Sequence, residues 1–163
     1  MGLANLDHKT GAGLHVLVAT VSEACAQLRE WQCSAPSQRL ARVIRGDKCR
    51  TQTSLFDEFA AAWQFPHYFG ENWDAFEECL ADLDWLPASA YLLLVSNAAQ
   101  VLEKESDPQR TVFWQVLERT IRSWSQTRRP PVAIHVVAQT ISPELDNLRR
   151  GLEAAKVVYD VLR

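Results

Sequence analysis

Four short apolar runs, each separated from the next by a stretch of helical character, restrict what this chain can fold into. They are residues 14–19, 40–44, 91–95 and 132–137 of 163. The run 91–95, YLLLV, is apolar without interruption, as a strand covered on both faces should be. Residues 21–31 read as a helix with Ser22 and Glu23 near its start. Ser54 followed three residues on by Asp57 resembles a capping box for a helix reaching about Trp63. Further on, Val112, Leu117, Ile121 and Trp124 recur at helical spacing within 108–125, and Ser142-Pro143-Glu144 predicts the start of a last helix running toward Val161. Strands alternating with helices predict an α/β architecture with a small, mainly parallel sheet. Residues 1–13 look loose, and 34–38, SAPSQ, read as a connector.

Length and composition set outer bounds. A chain of 163 residues with 47 % hydrophobic and 23 % charged residues fits one globular domain spanning 1–163. The apolar runs are strand-sized, too short to cross a bilayer. The opening MGLANLDHKTGAG has no apolar core of signal-peptide length, and Leu6 stands where a myristoylation signal needs Ser or Thr. The expectation is a cytoplasmic protein with no membrane partner. Cys25, Cys33, Cys49 and Cys79 form no CxxC pair and have no histidine at metal-ligand spacing, so reduced thiols are expected, with no metal and no cofactor.

Charge is the uneven property. Between residues 51 and 107 stand eleven acids and one base, Lys104, against a net charge of only −3 for the whole chain. Six of those acids fall in the fourteen residues from Glu71 to Asp84. This segment opens on an aromatic turn, His67-Tyr68-Phe69-Gly70, and continues as a predicted helix with Asn72 placed to cap it and Pro87 to stop it. At about 100° per residue, Trp73, Phe76, Leu80 and Leu83 share an apolar stripe. Glu71, Asp74, Glu78 and Asp82 lie opposite. One side fits a core, and the other is a row of negative charge suited to a strongly positive partner.

Common catalytic signatures are missing. The GAG at 11–13 lacks the preceding strand and spacing of a dinucleotide loop, and neither GxxxxGK[ST] nor GxSxG occurs. Histidines 8, 15, 67 and 135 are scattered, and His135 in an apolar strand reads as a structural imidazole. Asp74, Glu77 and Glu78 could hold a divalent ion or do acid–base work. With no His or Lys nearby to pair with them, no catalytic residue and no metal ligand is assigned. Direct nucleic-acid binding is disfavoured because the acidic face repels phosphates, and Arg128-Arg129 and Arg149-Arg150 read as a solvated basic face. A row of carboxylates does imitate a phosphodiester backbone, so it could enter the cationic cleft of an RNA-binding protein.

The segment YFGENWDAFEECL, together with ARVIRGD at 41–47 and the strand after Pro87, resembles the barstar family of ribonuclease inhibitors. The likeness runs from about residue 40 to 138. It implies a small, mainly parallel three-stranded sheet packed with helices, preceded by an N-terminal extension at 1–38 and followed by a C-terminal helix at about 143–162. The resemblance implies no enzyme. It implies instead an inhibitor of a basic, barnase-like ribonuclease or RNase-type toxin, with Tyr68, Phe69, Gly70, Asn72, Asp74, Glu77 and Glu78 at the partner surface. Phe69 replaces a tyrosine of the archetype, Glu78 its central aspartate, and Glu77 a tryptophan. Arg119 falls where the archetype has a contacting acid. The alternative is a barstar-fold interaction or regulatory module whose partner is not a nuclease.

Overall fold

Parallel strands require crossovers, and nearly every apolar run of this chain is followed by one. The computed structural model describes residues 2–8, 13–34, 38–128 and 132–162, without the side chains of Asn5, Asp7 and His8. The elements are β1 (Gly13–Val18), α1 (Val21–Cys33), β2 (Arg39–Arg45), α2 (Gln52–Trp63), α3 (Trp73–Asp82), β3 (Ala90–Ser96), α4 (Asp107–Thr127), β4 (Ala133–Thr140), α5 (Leu145–Ala154) and β5 (Asp160–Leu162). The strands form one sheet in the order β2-β3-β4-β1-β5, parallel throughout.

The expected three-stranded sheet is therefore too small: there are five strands. The added two come from the terminal segments. β1 pairs with β4 from Gly13↔His135 to Val18↔Thr140, and β5 pairs with β1 at His15↔Asp160. The predicted last helix is also shorter than expected. It ends at Ala154, Lys156 turns the chain with φ 57°, and residues 160–162 return as β5. Nor are the first residues loose, since Leu3–His8 forms a 3-10 turn with Leu3 and Leu6 buried and the Leu3 amide bonded to Gln27 Oε1 at 2.9 Å. Residues 9–12, 35–37 and 129–131 lie outside the described residues, and with them most of the GAG segment and the SAPSQ connector, as well as Arg129.

Two layers of helix sandwich the sheet. The 3-10 turn and α1 cover one face, where Leu3, Leu6, Leu28 and Trp31 meet Leu17, Leu92, Leu94 and Val137. The other helices cover the opposite face through Phe59, Phe76, Leu80, Leu117, Ile121 and Leu152. The continuous burial of β3 agrees with its unbroken apolar sequence. Helix α1 carries the chain from β1 back past β4 and β3 to β2, so the direction of winding reverses between β1 and β4. At that place the Gln139 side chain accepts from Asn97 N at 2.7 Å and donates to Ala19 O at 2.6 Å, joining the loops after β3 and β1.

Helix starts follow side-chain chemistry. Thr20 and Glu23 form a capping box on α1. On α2 the box is Thr51 and Ser54, one turn ahead of the expected Ser54 and Asp57. Thr51 is the residue with extended φ and ψ, so its hydroxyl takes the Ser54 amide at 3.2 Å and the helix begins at Gln52. Gly46, in the turn after β2, is a position where backbone leaves no room for a side chain: a Cβ there would stand 2.3 Å from Ser96 O.

His135 is a buried strand residue, as its setting predicted. His15 Nε2 lies 3.1 Å from His135 Nδ1, and His15 Nδ1 pairs with Asp160. This polar chain runs across β4, β1 and β5. No helix among the described residues is long and apolar enough to cross a membrane.

Candidate acidic docking site

The site begins where α2 stops. Gln64 takes the left-handed conformation, φ 52°, and the Phe65 amide closes on Ala60 O at 3.0 Å. A tight turn follows, with the Phe69 amide bonded to Pro66 O at 2.9 Å. Within that turn the two aromatics part company. Phe69 packs edge-on against Phe65 and Phe56, with centroids 5.0 and 5.7 Å apart, and anchors the loop to the core. Tyr68 is 69 % exposed. Gly70 and Asn72 are exposed beside it. The Asn72 side chain accepts from Ala75 N at 2.9 Å and donates to Gly70 O at 3.2 Å, so it both caps α3 and ties down the turn.

Helix α3 separates its faces as its periodicity predicted. Phe76 and Leu80 are buried, Leu83 is buried at the left-handed C-cap, and Trp73 is half-buried with its indole N–H on Gln109 Oε1 at 2.9 Å. The helix ends at Asp82, ahead of Pro87, because Leu83 has already turned with φ 50°. Glu71, Asp74, Glu78 and Asp82 are exposed on the other side. Two grooves flank this row. One, of ≈ 150 Å³, lies between Tyr68, Phe69, Glu78, Asp82 and Trp85. The other, of ≈ 380 Å³, lies between Asp74, Glu77, Glu78 and the α4 residues Arg119 and Ser123. Glu78 lines both.

Glu77 has a different setting from the other candidates. It turns toward α4 and takes Arg119 Nε at 2.8 Å and Nη2 at 3.2 Å, a two-point ion pair. That bond raises the Arg119 guanidinium further above its ordinary range. Neighbouring charge acts elsewhere in the row: a hydrogen bond with Asp82 raises the Asp84 carboxyl, and burial, reinforced by Asp82 and Glu78, raises the Cys79 thiol. Arg128, expected on a solvated face, instead lies 3.4 Å over the Trp124 ring and donates to the carbonyls of Ala81 and Asp82. It holds the end of α3, where carbonyls lack helical partners and a cation is favoured. Arg128 and Trp85 were not singled out for the site from sequence; an aromatic directly after the acidic helix was the only local signal for Trp85. Among the described residues no group of three His, Cys, Asp or Glu side chains could share a metal ion.

A family profile described as Barstar (barnase inhibitor) matches residues 39–138. The chain belongs to the barstar family. The matched span runs from the start of β2 almost to the end of β4 and contains the acidic α3, whereas β1, α1, α5 and β5 lie outside it. Comparison with curated proteins finds no match. Among solved structures, the Aeropyrum pernix ORC2 protein in its ADPNP–ADP complexes aligns at 8 % identity and a TM-score of 0.57, covering 98 % of this chain and 43 % of that one. Drosophila ORC bound to AT-rich DNA and Cdc6 aligns at 15 % identity and a TM-score of 0.47, covering 91 % and 48 %. The chain spans less than half the length of either. The first of these likenesses is one of fold alone.

Proposed function

We propose that this barstar-family chain is a non-enzymatic inhibitor that blocks the active site of a basic, barnase-like ribonuclease, working inside the cell. The observation that carries the reading is the exposed row Asp74–Glu78–Asp82 beside the exposed Tyr68, on a helix whose other side is locked into the core. Asp74 and Glu78 make no ion pair with a described residue, so their charge is available to a partner's Arg, Lys or His. Long-range attraction speeds encounter, and charge-assisted hydrogen bonds hold the complex. Tyr68 adds an amphipathic ring of the kind that anchors interfaces.

The test is inhibition of barnase by the purified chain, with binding followed across a salt series. Association is expected to be fast and to slow as salt rises. The double variant Asp74→Ala/Glu78→Ala is expected to weaken binding by about 2–5 kcal/mol or more, the general cost of truncating one partner of a desolvated, hydrogen-bonded charge pair. A double variant binding as tightly as the parent would show that the surface is wrong.

A second reading, an interaction module with a non-nuclease partner, is favoured by one feature: two of the five strands and two helices lie outside the family match. Absence of any effect on barnase activity, together with a reproducible partner that cleaves no RNA, would establish it over the first.

A further inference from the structure

Glu77 and Glu78 are sequence neighbours that the helix sends to different duties. Glu78 is exposed between the two grooves, while the Glu77 side chain is only 29 % exposed and is held by Arg119. The pairing occupies Nε and Nη2 of the guanidinium. Nη1 makes no hydrogen bond with a described residue, and the Arg119 side chain remains 49 % exposed. The same groove thus offers free carboxylates, Asp74 and Glu78, on the α3 side and outward-facing cationic donors on the α4 side. The charge pattern of this face is bipolar, although the segment carrying it is overwhelmingly acidic by sequence.

Resting on the ribonuclease-facing reading above, we propose that Arg119 is a specificity-determining residue and that the partner matches it with a carboxylate. The nuclease that fits is basic where it meets Asp74 and Glu78 and carries an Asp or Glu on the rim of its cleft facing α4. A cleft lined by cations throughout, as phosphate gripping favours, sets positive charge against Arg119 and is discriminated against by repulsion. Glu77 supports this by fixing the guanidinium in place, which lowers the entropy lost when a partner carboxylate takes the free Nη1 edge.

Barnase is the probe, compared across the parent, Arg119→Glu, and Arg119→Glu combined with Glu77→Gln. The combined variant removes the carboxylate repulsion that Arg119→Glu alone creates, so a parental melting temperature certifies its fold. Against barnase it is expected to bind about tenfold more tightly than the parent, with faster association and a steeper salt dependence. Arg119→Met, which keeps most of the stem and loses the charge, is expected to fall between. A combined variant with parental stability that binds a barnase-competent parent's target no better than the parent does overturns the proposal while leaving the inhibitor reading intact. Failure of the parent and every variant alike to bind barnase overturns both.

Discussion

Glu58 and Glu78 put the same side chain to opposite uses. The Glu58 side chain is 12 % exposed and takes Arg45 Nε at 2.8 Å and Nη2 at 2.9 Å, with the Arg45 amide added at 3.2 Å. The Arg45 guanidinium and amide hold its carboxyl below the usual carboxylate value of 4.5. A carboxyl depressed by folding contributes stability that is present above its unfolded value and lost as pH falls through the folded one. Glu58→Gln is therefore expected to lower the urea midpoint at neutral pH, and the gap from the parent to close as pH falls below the usual carboxylate range and through the lowered folded value, as urea melts across pH can read. Glu78 has no such partner among the described residues and is exposed. Glu71, just ahead of α3, sits at φ 53°, a backbone state costing roughly 1 kcal/mol for a residue with a side chain. That cost falls between the exposed tyrosine and the acidic row, at a bend that sets their relative aim. Cys49 stands at the other extreme, its thiol raised to about 12 by burial and thus protonated and inert.

Helix α3 is stable in its position because both ends are tied. Asn72 closes the first turn, and Arg128, stacked on Trp124, takes the last carbonyls. Arg128→Ala removes the stacking and the carbonyl bonds together and is expected to destabilise the fold by about 1–2 kcal/mol. Hydrogen exchange should show the loss concentrated in the last turn of α3; uniform loss across the sheet would contradict that placement. The stripe of Trp73, Phe76, Leu80 and Leu83 made this helix legible from sequence, since local periodicity needs no knowledge of the rest of the chain. The same was true of the buried run in β3 and the cap at Asn72. The ion pair of Glu77 with Arg119 was hidden because its partners stand 42 residues apart and only the packing of α3 on α4 brings them together. β5 was hidden for another reason. The β-branched and aromatic residues around Asp160 read as the end of the last helix, and only the turn at Lys156 and the presence of β1 make a strand of them.

At the scale of the molecule, the span matched by the family has one sheet face and one sheet edge covered by elements outside it. Within 39–138, Leu92, Leu94 and Val137 present their side chains to α1 and the 3-10 turn, which lie outside it, and four β4 residues, His135 to Ala138, pair with β1. A chain cut to residues 39–138 leaves that face and edge uncovered. It is expected to lose near-ultraviolet circular dichroism and to aggregate where the full chain stays monodisperse. A folded, soluble fragment would show that the terminal elements only decorate the sheet.

Gln139 occupies a place of general importance in sheets of this kind. In open α/β sheets the crevice at the reversal of winding is where nucleotides and cofactors are usually received. Here one amide group stitches the loops on either side of β4 together across it. At the adjoining start of α1, two of the backbone amides without helical partners are already taken, that of Thr20 by the Glu23 carboxylate and that of Glu23 by the Thr20 hydroxyl. The crevice that such sheets leave open is thus bridged by an amide side chain in this molecule, while its exposed acidic row lies elsewhere, on α3.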